Sequence, residues 1–132
     1  MKAGGRRKTI LLIDNDPSTR ELLRLHLGNA GYQTLEAEDA MDGGRLLVEH
    51  APDLVILEAS LPFLSGLDLI ATIAVDQSAP CMPVVFLASN DEDRSRAQQL
   101  GDACLTRPFF ADELLRVVAG LLDWDGKASA SP

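Results

Sequence analysis

Cysteine, positive charge and long apolar runs are what this chain has least of. Its 132 residues hold two cysteines, Cys81 and Cys104, at no metal-ligand spacing, so neither a thiolate metal site nor a disulfide is implied. Cys104 reads as a small buried hydrophobe on a strand. No apolar run approaches the length that crosses a bilayer, and Met1-Lys2 leads into no signal-peptide core. The expectation is a soluble, cytoplasmic protein. Lysine and arginine number 12 against 20 aspartates and glutamates, a net charge of −8. Lys2, Arg6, Arg7 and Lys8 all fall at the start, which leaves 8 basic against 20 acidic residues in 9–132, a net of −12. A body so acidic repels nucleic acid, and residues 1–7 read as a disordered, solvated basic tail rather than a nucleic-acid arm. No internal repeat is visible, and the length suits one domain with its own core.

What is there is an alternation of short apolar runs and helical patterns. Residues 9–13 form a continuous apolar run, as a central strand does. Asp16 then fits a helix N-cap and Pro17 the first helical turn. Leu22, Leu23, Leu27 and Ala30 recur at helical spacing until Gly31 stops the helix. Residues 32–37 read as a weaker strand at an edge. A helix over about 39–49 follows, with Met41, Leu46 and Leu47 turned inward and Gly43-Gly44 lowering its propensity. Residues 54–57 fit a strand buried on both faces, and 67–75 a helix with Leu67, Ile70, Ala71 and Ala74 inward. Pro80 and Pro83 make 78–83 a loop. Residues 84–87 are a fourth strand, Asn90 to Asp93 cap a helix that Gly101 ends, and 103–105 are a short fifth strand. The last helix, over 111–122, carries an apolar stripe of Leu114, Leu115, Val118, Leu121 and Leu122; 123–132 read as a tail. Five strands alternating with five helices predict an α/β fold, a doubly wound parallel sheet.

The most informative stretch is 52–66, Pro-Asp-Leu-Val-Ile-Leu-Glu-Ala-Ser-Leu-Pro-Phe-Leu-Ser-Gly. An apolar strand ends in one acidic residue, Glu58, and a loop with Pro62 and Ser65-Gly66 follows. In an open parallel sheet, ligands bind outside the carboxyl ends of the strands, where Glu58 stands. This stretch resembles the receiver domain of bacterial two-component response regulators. There the pattern is strand, aspartate, two variable residues, an apolar residue, proline, then a small residue with glycine. Every spacing is present, but the phosphate-accepting aspartate is replaced by Glu58. The resemblance spans about residues 8–122 and implies a flavodoxin-like sheet of strand order 2-1-3-4-5.

The resemblance also implies a site. Receivers gather an acidic pair, an acceptor aspartate, a hydroxyl and a lysine at the strand ends. The carboxylates hold Mg²⁺ through oxygen, the metal and lysine neutralise the phosphoryl group, and the hydroxyl bonds the new phosphate. In this chain the acidic pair falls on Asp14-Asn15, with Asp16 as a partial substitute whose cap role competes. The acceptor position is Glu58. The hydroxyl position is Ala88; Ser89 is adjacent, but strand alternation turns it to the other face. The lysine position holds Arg107, before Pro108, and the aromatic switch position holds Cys104. Five departures on an intact scaffold imply an atypical receiver outside the ordinary phosphorylation cycle. Glutamate also reaches about 1.5 Å further than aspartate, one bond length, and misplacement on that scale is costly for transfer chemistry. Glu58 is expected to pair with Arg107, in the bidentate manner that suits arginine, and the Arg107-Pro108 bond to be cis as it often is in the family.

No cofactor is expected. Mg²⁺, should its binding survive, would be weakened and would use Asp14, Asn15 and Ser60. The expected activity is protein–protein contact rather than catalysis. Its partner would be a histidine kinase, an output domain or another signalling protein, met through about residues 91–122. No nucleic acid and no membrane are expected as partners of this domain, and a homodimer is left open. Two other readings stand beside this one. One is a live, Mg²⁺-dependent phosphoacceptor on Glu58. The other is a small haloacid-dehalogenase-like phosphatase, because Asp14-Asn15-Asp16 is a D-x-D after an apolar strand. A flavodoxin-like cofactor site is disfavoured, because the acidic loop after residue 13 is no phosphate cradle.

Overall fold

The computed structural model describes residues 7–61, 65–66, 68–70 and 82–123. Elements alternate along the chain: β1 (Thr9–Ile13), α1 (Pro17–Asn29), β2 (Gln33–Ala37), α2 (Ala40–His50) and β3 (Leu54–Glu58). A third helical segment, α3, has residues 66 and 68–70 as its described part. Then come β4 (Val84–Ala88), α4 (Asp91–Leu100), β5 (Ala103–Thr106) and α5 (Ala111–Asp123). All four strand pairings are parallel, and the order is β2-β1-β3-β4-β5, as the resemblance implied. Composition sets the order's logic. Every residue of β3 and β4 is buried, and all of β1 but Thr9, so these near-continuous apolar runs lie centrally. β2 and β5 keep exposed positions and take the edges.

Side-chain alternation divides the core into two layers. Leu11, Ile13, Val55, Leu57 and Phe86 pack with Leu47 of α2, Leu69 and Ile70 of α3 and Ala97 of α4. Ile10, Leu12, Ile56, Val85 and Leu87 pack on the other face with Leu23 and Leu27 of α1 and Leu114 and Val118 of α5. Helices therefore cover both faces, which leaves the strand ends as the place for a crevice.

The structure corrects several expected contacts. Leu22 is 55% exposed and Met41 86% exposed, and Ala30 also faces solvent. The inward line of α1 is Leu23 and Leu27, one turn apart, and Leu22 lies off that line. In α2 the inward line is Ala40, Gly43 and Leu47. Gly43 lowers propensity for a reason: a Cβ there would lie 2.5 Å from Cδ1 of Ile13. Cys104 is only half-buried, on an edge strand. Arg7, placed in the basic tail by sequence, donates to the carbonyls of Gly31 (3.2 Å) and Tyr32 (3.4 Å). Residues 1–6 and 124–132 lie outside the described residues, as do Leu67, Ala71, Ala74 and Cys81. No described helix is long and apolar enough to cross a membrane.

The caps follow the sequence reading. The Asp16 carboxylate accepts from Ser18 N–H, with Pro17 in the first turn. Asn90 caps α4 by accepting from Asp93 N–H. Gly66 closes the loop after β3 against the strand: a Cβ there would collide with the carbonyl oxygen of Glu58 and stand 2.9 Å from Cγ of Leu57.

Gly66→Ala is expected to lower unfolding free energy by about 1–3 kcal/mol, because its clash is with backbone that cannot swing aside. Gly28→Ala, with nothing within 4 Å of the added carbon, is expected to be neutral or to stabilise by up to about 1 kcal/mol. Urea denaturation of the two variants checks both, and equal midpoints would sink the steric account.

Candidate functional site

Parallel pairing brings four strand ends to one edge of the sheet. Ile13 pairs with Leu57, Glu58 with Leu87, and Ala88 with Thr106. Asp14 follows β1, Glu58 ends β3, Ala88 ends β4, and Arg107 follows β5. Residues 93 positions apart in sequence therefore share one crevice.

At its centre is a single nitrogen. Nη2 of Arg107 donates to Oε1 of Glu58 at 2.6 Å and to Oδ2 of Asp14 at 3.1 Å. The two hydrogens of one guanidinium nitrogen can serve two acceptors, and here they serve two carboxylates. Nη1 of Arg107 donates to Oγ of Ser89 at 3.2 Å. The remaining oxygens are engaged by backbone: Oε2 of Glu58 accepts from Ser60 N–H at 2.9 Å, and Oδ1 of Asp14 from Asp16 N–H at 2.8 Å. The expected Glu58–Arg107 pair is thus present in a different form, one nitrogen bridging two acids rather than a fork closing on one. The Arg107-Pro108 bond is cis.

Asp14 and Glu58 are the two buried ionisable side chains among the described residues, at 2% and 6% exposure. Burial pushes the carboxyl of Glu58 above the ordinary range. The Ser60 N–H and the Arg107 guanidinium pull the other way without overcoming it, and Asp14 adds a further upward push. Burial likewise raises Asp14 against the Asp16 N–H and Arg107. Asp16 is held below its usual value by the Thr19 hydroxyl and the Ser18 N–H.

Two participants were not picked out by sequence. Ser89 had been turned away from the site by strand alternation, but β4 pairing ends at Ala88, so the period of two no longer governs the next residue. Arg20 gave no motif. Its N–H bonds the carbonyl of Asp16 in the first turn of α1, and from there Nη1 reaches the carbonyl of Asp14 at 2.6 Å. Glu36 of β2 holds the same side chain through Nε at 3.2 Å. The chain positions of an arginine and a glutamate 16 residues apart carried no signal of that contact.

The other expected positions stand as follows. Asn15 is exposed beside the crevice. Asp16 caps α1 through Ser18 N–H and Thr19 Oγ, so its carboxylate is engaged there. Ala88 is fully buried and offers no hydroxyl. Cys104 pairs in register with Phe86 and packs on the α2–α4 side of the core, its thiol pushed up by burial.

The donor set bears on Mg²⁺, which the resemblance implies. Mg²⁺ takes oxygen ligands at about 2.0–2.1 Å in octahedral geometry. Both carboxylates point one oxygen at the guanidinium and the other at a backbone N–H. The second acid of the pair is the amide Asn15. A divalent cation about 4 Å from a guanidinium is opposed by roughly 8 kcal/mol at an effective dielectric constant of about 20. As arranged, these residues do not fit the ion.

The family model for the response regulator receiver domain matches residues 10–119. The chain is 40% identical over 125 residues to the transcriptional regulatory protein GltR of Pseudomonas aeruginosa, covering 92% of this chain and 51% of that protein. It is 32% identical over 118 residues to the phosphate regulon transcriptional regulatory protein PhoB of the same organism, covering 87% and 52%. The chain thus spans about half the length of the curated relatives it matches. Among solved structures, a putative response regulator from Chloroflexus aurantiacus superposes with a TM-score of 0.85 at 23% identity, covering 90% of this chain and all of that one.

Removing the shared cation leaves two buried carboxylates facing each other. Arg107→Ala is therefore expected to cost roughly 3 kcal/mol at neutral pH, and Arg107→Lys less, because it keeps the charge. Urea denaturation measures it, and an unchanged midpoint for Arg107→Ala would mean the three groups merely face water. A second outcome concerns pH. Glu58 holds its proton to higher pH folded than unfolded, so the folded state binds more protons in the window above the ordinary value of 4.5. Its contribution to stability therefore falls as pH rises through that window. Unfolding free energies of wild type and Glu58→Gln, compared across it, should shift in favour of the variant with rising pH; a flat difference would show that Arg107 has cancelled the burial effect.

Proposed function

The chain belongs to the response regulator receiver family, and from that premise we propose that it is an atypical receiver: a signalling domain that acts by protein–protein contact and takes no phosphoryl group in the ordinary way. Receivers are in general non-enzymatic signalling domains that work with histidine kinases and output domains. Family membership also leaves the haloacid-dehalogenase-like phosphatase reading without support.

The observation that carries the proposal is the state of Glu58. Its carboxylate stands at the acceptor position, buried, with Oε1 on Arg107 and Oε2 on Ser60 N–H. Attack on phosphorus needs a carboxylate oxygen held in line with the leaving group and free to bond. Here both oxygens are turned into hydrogen bonds that hold the side chain in the protein. The hydroxyl that would answer a new phosphate is absent at Ala88, and Ser89 Oγ, its neighbour, is bonded to Arg107. The Arg107 bridge between the ends of β1 and β3 would hold one conformation without phosphate.

A domain so held signals through the surface it presents. In the family the usual face is α4, β5 and α5, here about residues 91–122. The outer side of α4 is rich in charge, with Asp91, Glu92, Asp93, Arg94 and Arg96 on one short helix. That composition suits a polar, reversible contact rather than an obligate apolar one.

The test is direct. The protein is incubated with a small-molecule phosphoryl donor and Mg²⁺ and examined by intact mass spectrometry, beside Glu58→Asp and a double variant that also carries Arg107→Lys. No phosphoryl adduct on the wild type is the expected result, with partial recovery in the double variant. An adduct that maps to Glu58 in the wild type would make this a live receiver and overturn the proposal.

A further inference from the structure

In this crevice an arginine side chain stands where the site chemistry calls for a cation. Two acids, at 2% and 6% exposure, converge from the ends of β1 and β3. Two buried carboxylates at one strand edge require a positive partner, since neither can be left ionised and unpaired at acceptable cost. That partner is one guanidinium nitrogen of Arg107, 2.6 Å from an oxygen of Glu58 and 3.1 Å from an oxygen of Asp14. We propose that Arg107 is the resident cation of the crevice, occupying the space between Asp14 and Glu58 that a divalent ion would need, so that the wild-type protein is indifferent to Mg²⁺ and a latent Mg²⁺ site opens only when this arginine is removed. The inference rests on the reading of the site given above but makes a separate claim, about the ion rather than the phosphoryl group.

Three features support it. The oxygens that face the guanidinium are the pair a bridging ion would share, and they cannot serve both. Arg107 is also held by a third group, Ser89 Oγ at 3.2 Å, so its head is positioned by the residue after β4 as well as by the two acids. A second guanidinium, that of Arg20, donates to the carbonyl of Asp14 at 2.6 Å, with Glu36 fixing it from the edge strand. An ion approaching Asp14 therefore meets positive charge on both its side-chain and its backbone side. With Arg107 gone, the carboxylates of Asp14 and Glu58 are left as oxygen donors, the hard ligands Mg²⁺ prefers.

The wild-type chain, Arg107→Met and Arg107→Lys would be melted in MgCl₂ and in NaCl of matched ionic strength, and their amide spectra recorded with Mn²⁺. A ligand at free concentration L that binds only the folded state stabilises it by RT ln(1 + L/Kd) and so raises the melting temperature as its concentration passes Kd. The wild type should melt alike in the two salts, and Mn²⁺ should leave the Asp14, Glu58 and Ser60 amides sharp. Arg107→Met should gain a Mg²⁺-specific rise and Mn²⁺ broadening at those amides, an affinity gain of about tenfold or more. Arg107→Lys, which retains the charge and folds where the methionine variant fails to, should fall between. Mg²⁺-specific stabilisation of the wild type would overturn the inference, and so would folded variants that stay indifferent to Mg²⁺. A wild type that binds Mg²⁺ but accepts no phosphoryl group would overturn this inference and leave the proposed function standing.

Discussion

One guanidinium nitrogen shared by two buried carboxylates is the constraint on which the site depends. Each acid alone would be a liability in that position, because burial raises the free energy of its ionised form. Together with Arg107 they form a triad that ties the segments after β1 and β5 to the end of β3. The bonds are not independent. If either acid moves, Arg107 loses half of what holds Nη2, and the other acid loses part of what keeps it charged. The site therefore behaves as one unit with one preferred geometry.

The scaffold makes that unit possible without taking part in it. Three central strands, buried on both faces, bring their carboxyl ends to one line, and helices pack against both faces of the sheet. Gly66 presses the loop after β3 close to the backbone of Glu58, where a larger residue could not go. The packing is that of the receiver fold, and the groups it gathers at the strand ends are Asp14, Glu58 and Arg107. A fold sets where a site sits, and the side chains placed there set what it does.

Much of the fold was legible in the sequence, because its signals are local. The apolar runs of β1, β3 and β4, the Asp16 and Asn90 caps and the loop ending in Gly66 each depend on neighbours within a few residues. What was misread depends on partners far away. Leu22 and Met41 are apolar and near helical spacing, yet the face of a helix that turns inward is chosen by what lies across from it. Gly43 looked like a weak point and is a close contact with Ile13. Ser89 was assigned by a strand rule one residue beyond the end of its strand. Arg20 reaches the site only because α1 folds back along β1 and beside Glu36 of β2.

The sequence by itself determined the family and the order of elements, and it put Glu58, Asn15, Ala88, Cys104 and Arg107 at the positions where the resemblance implies a site. It also pointed to a contact between Glu58 and Arg107, since the two occur together and arginine suits a carboxylate. Only the tertiary structure decided the form of that contact. Whether an arginine forks onto one carboxylate or bridges two is a matter of ångströms between the ends of separate strands. Those separations are set by packing across the whole sheet, and no local run of residues encodes them.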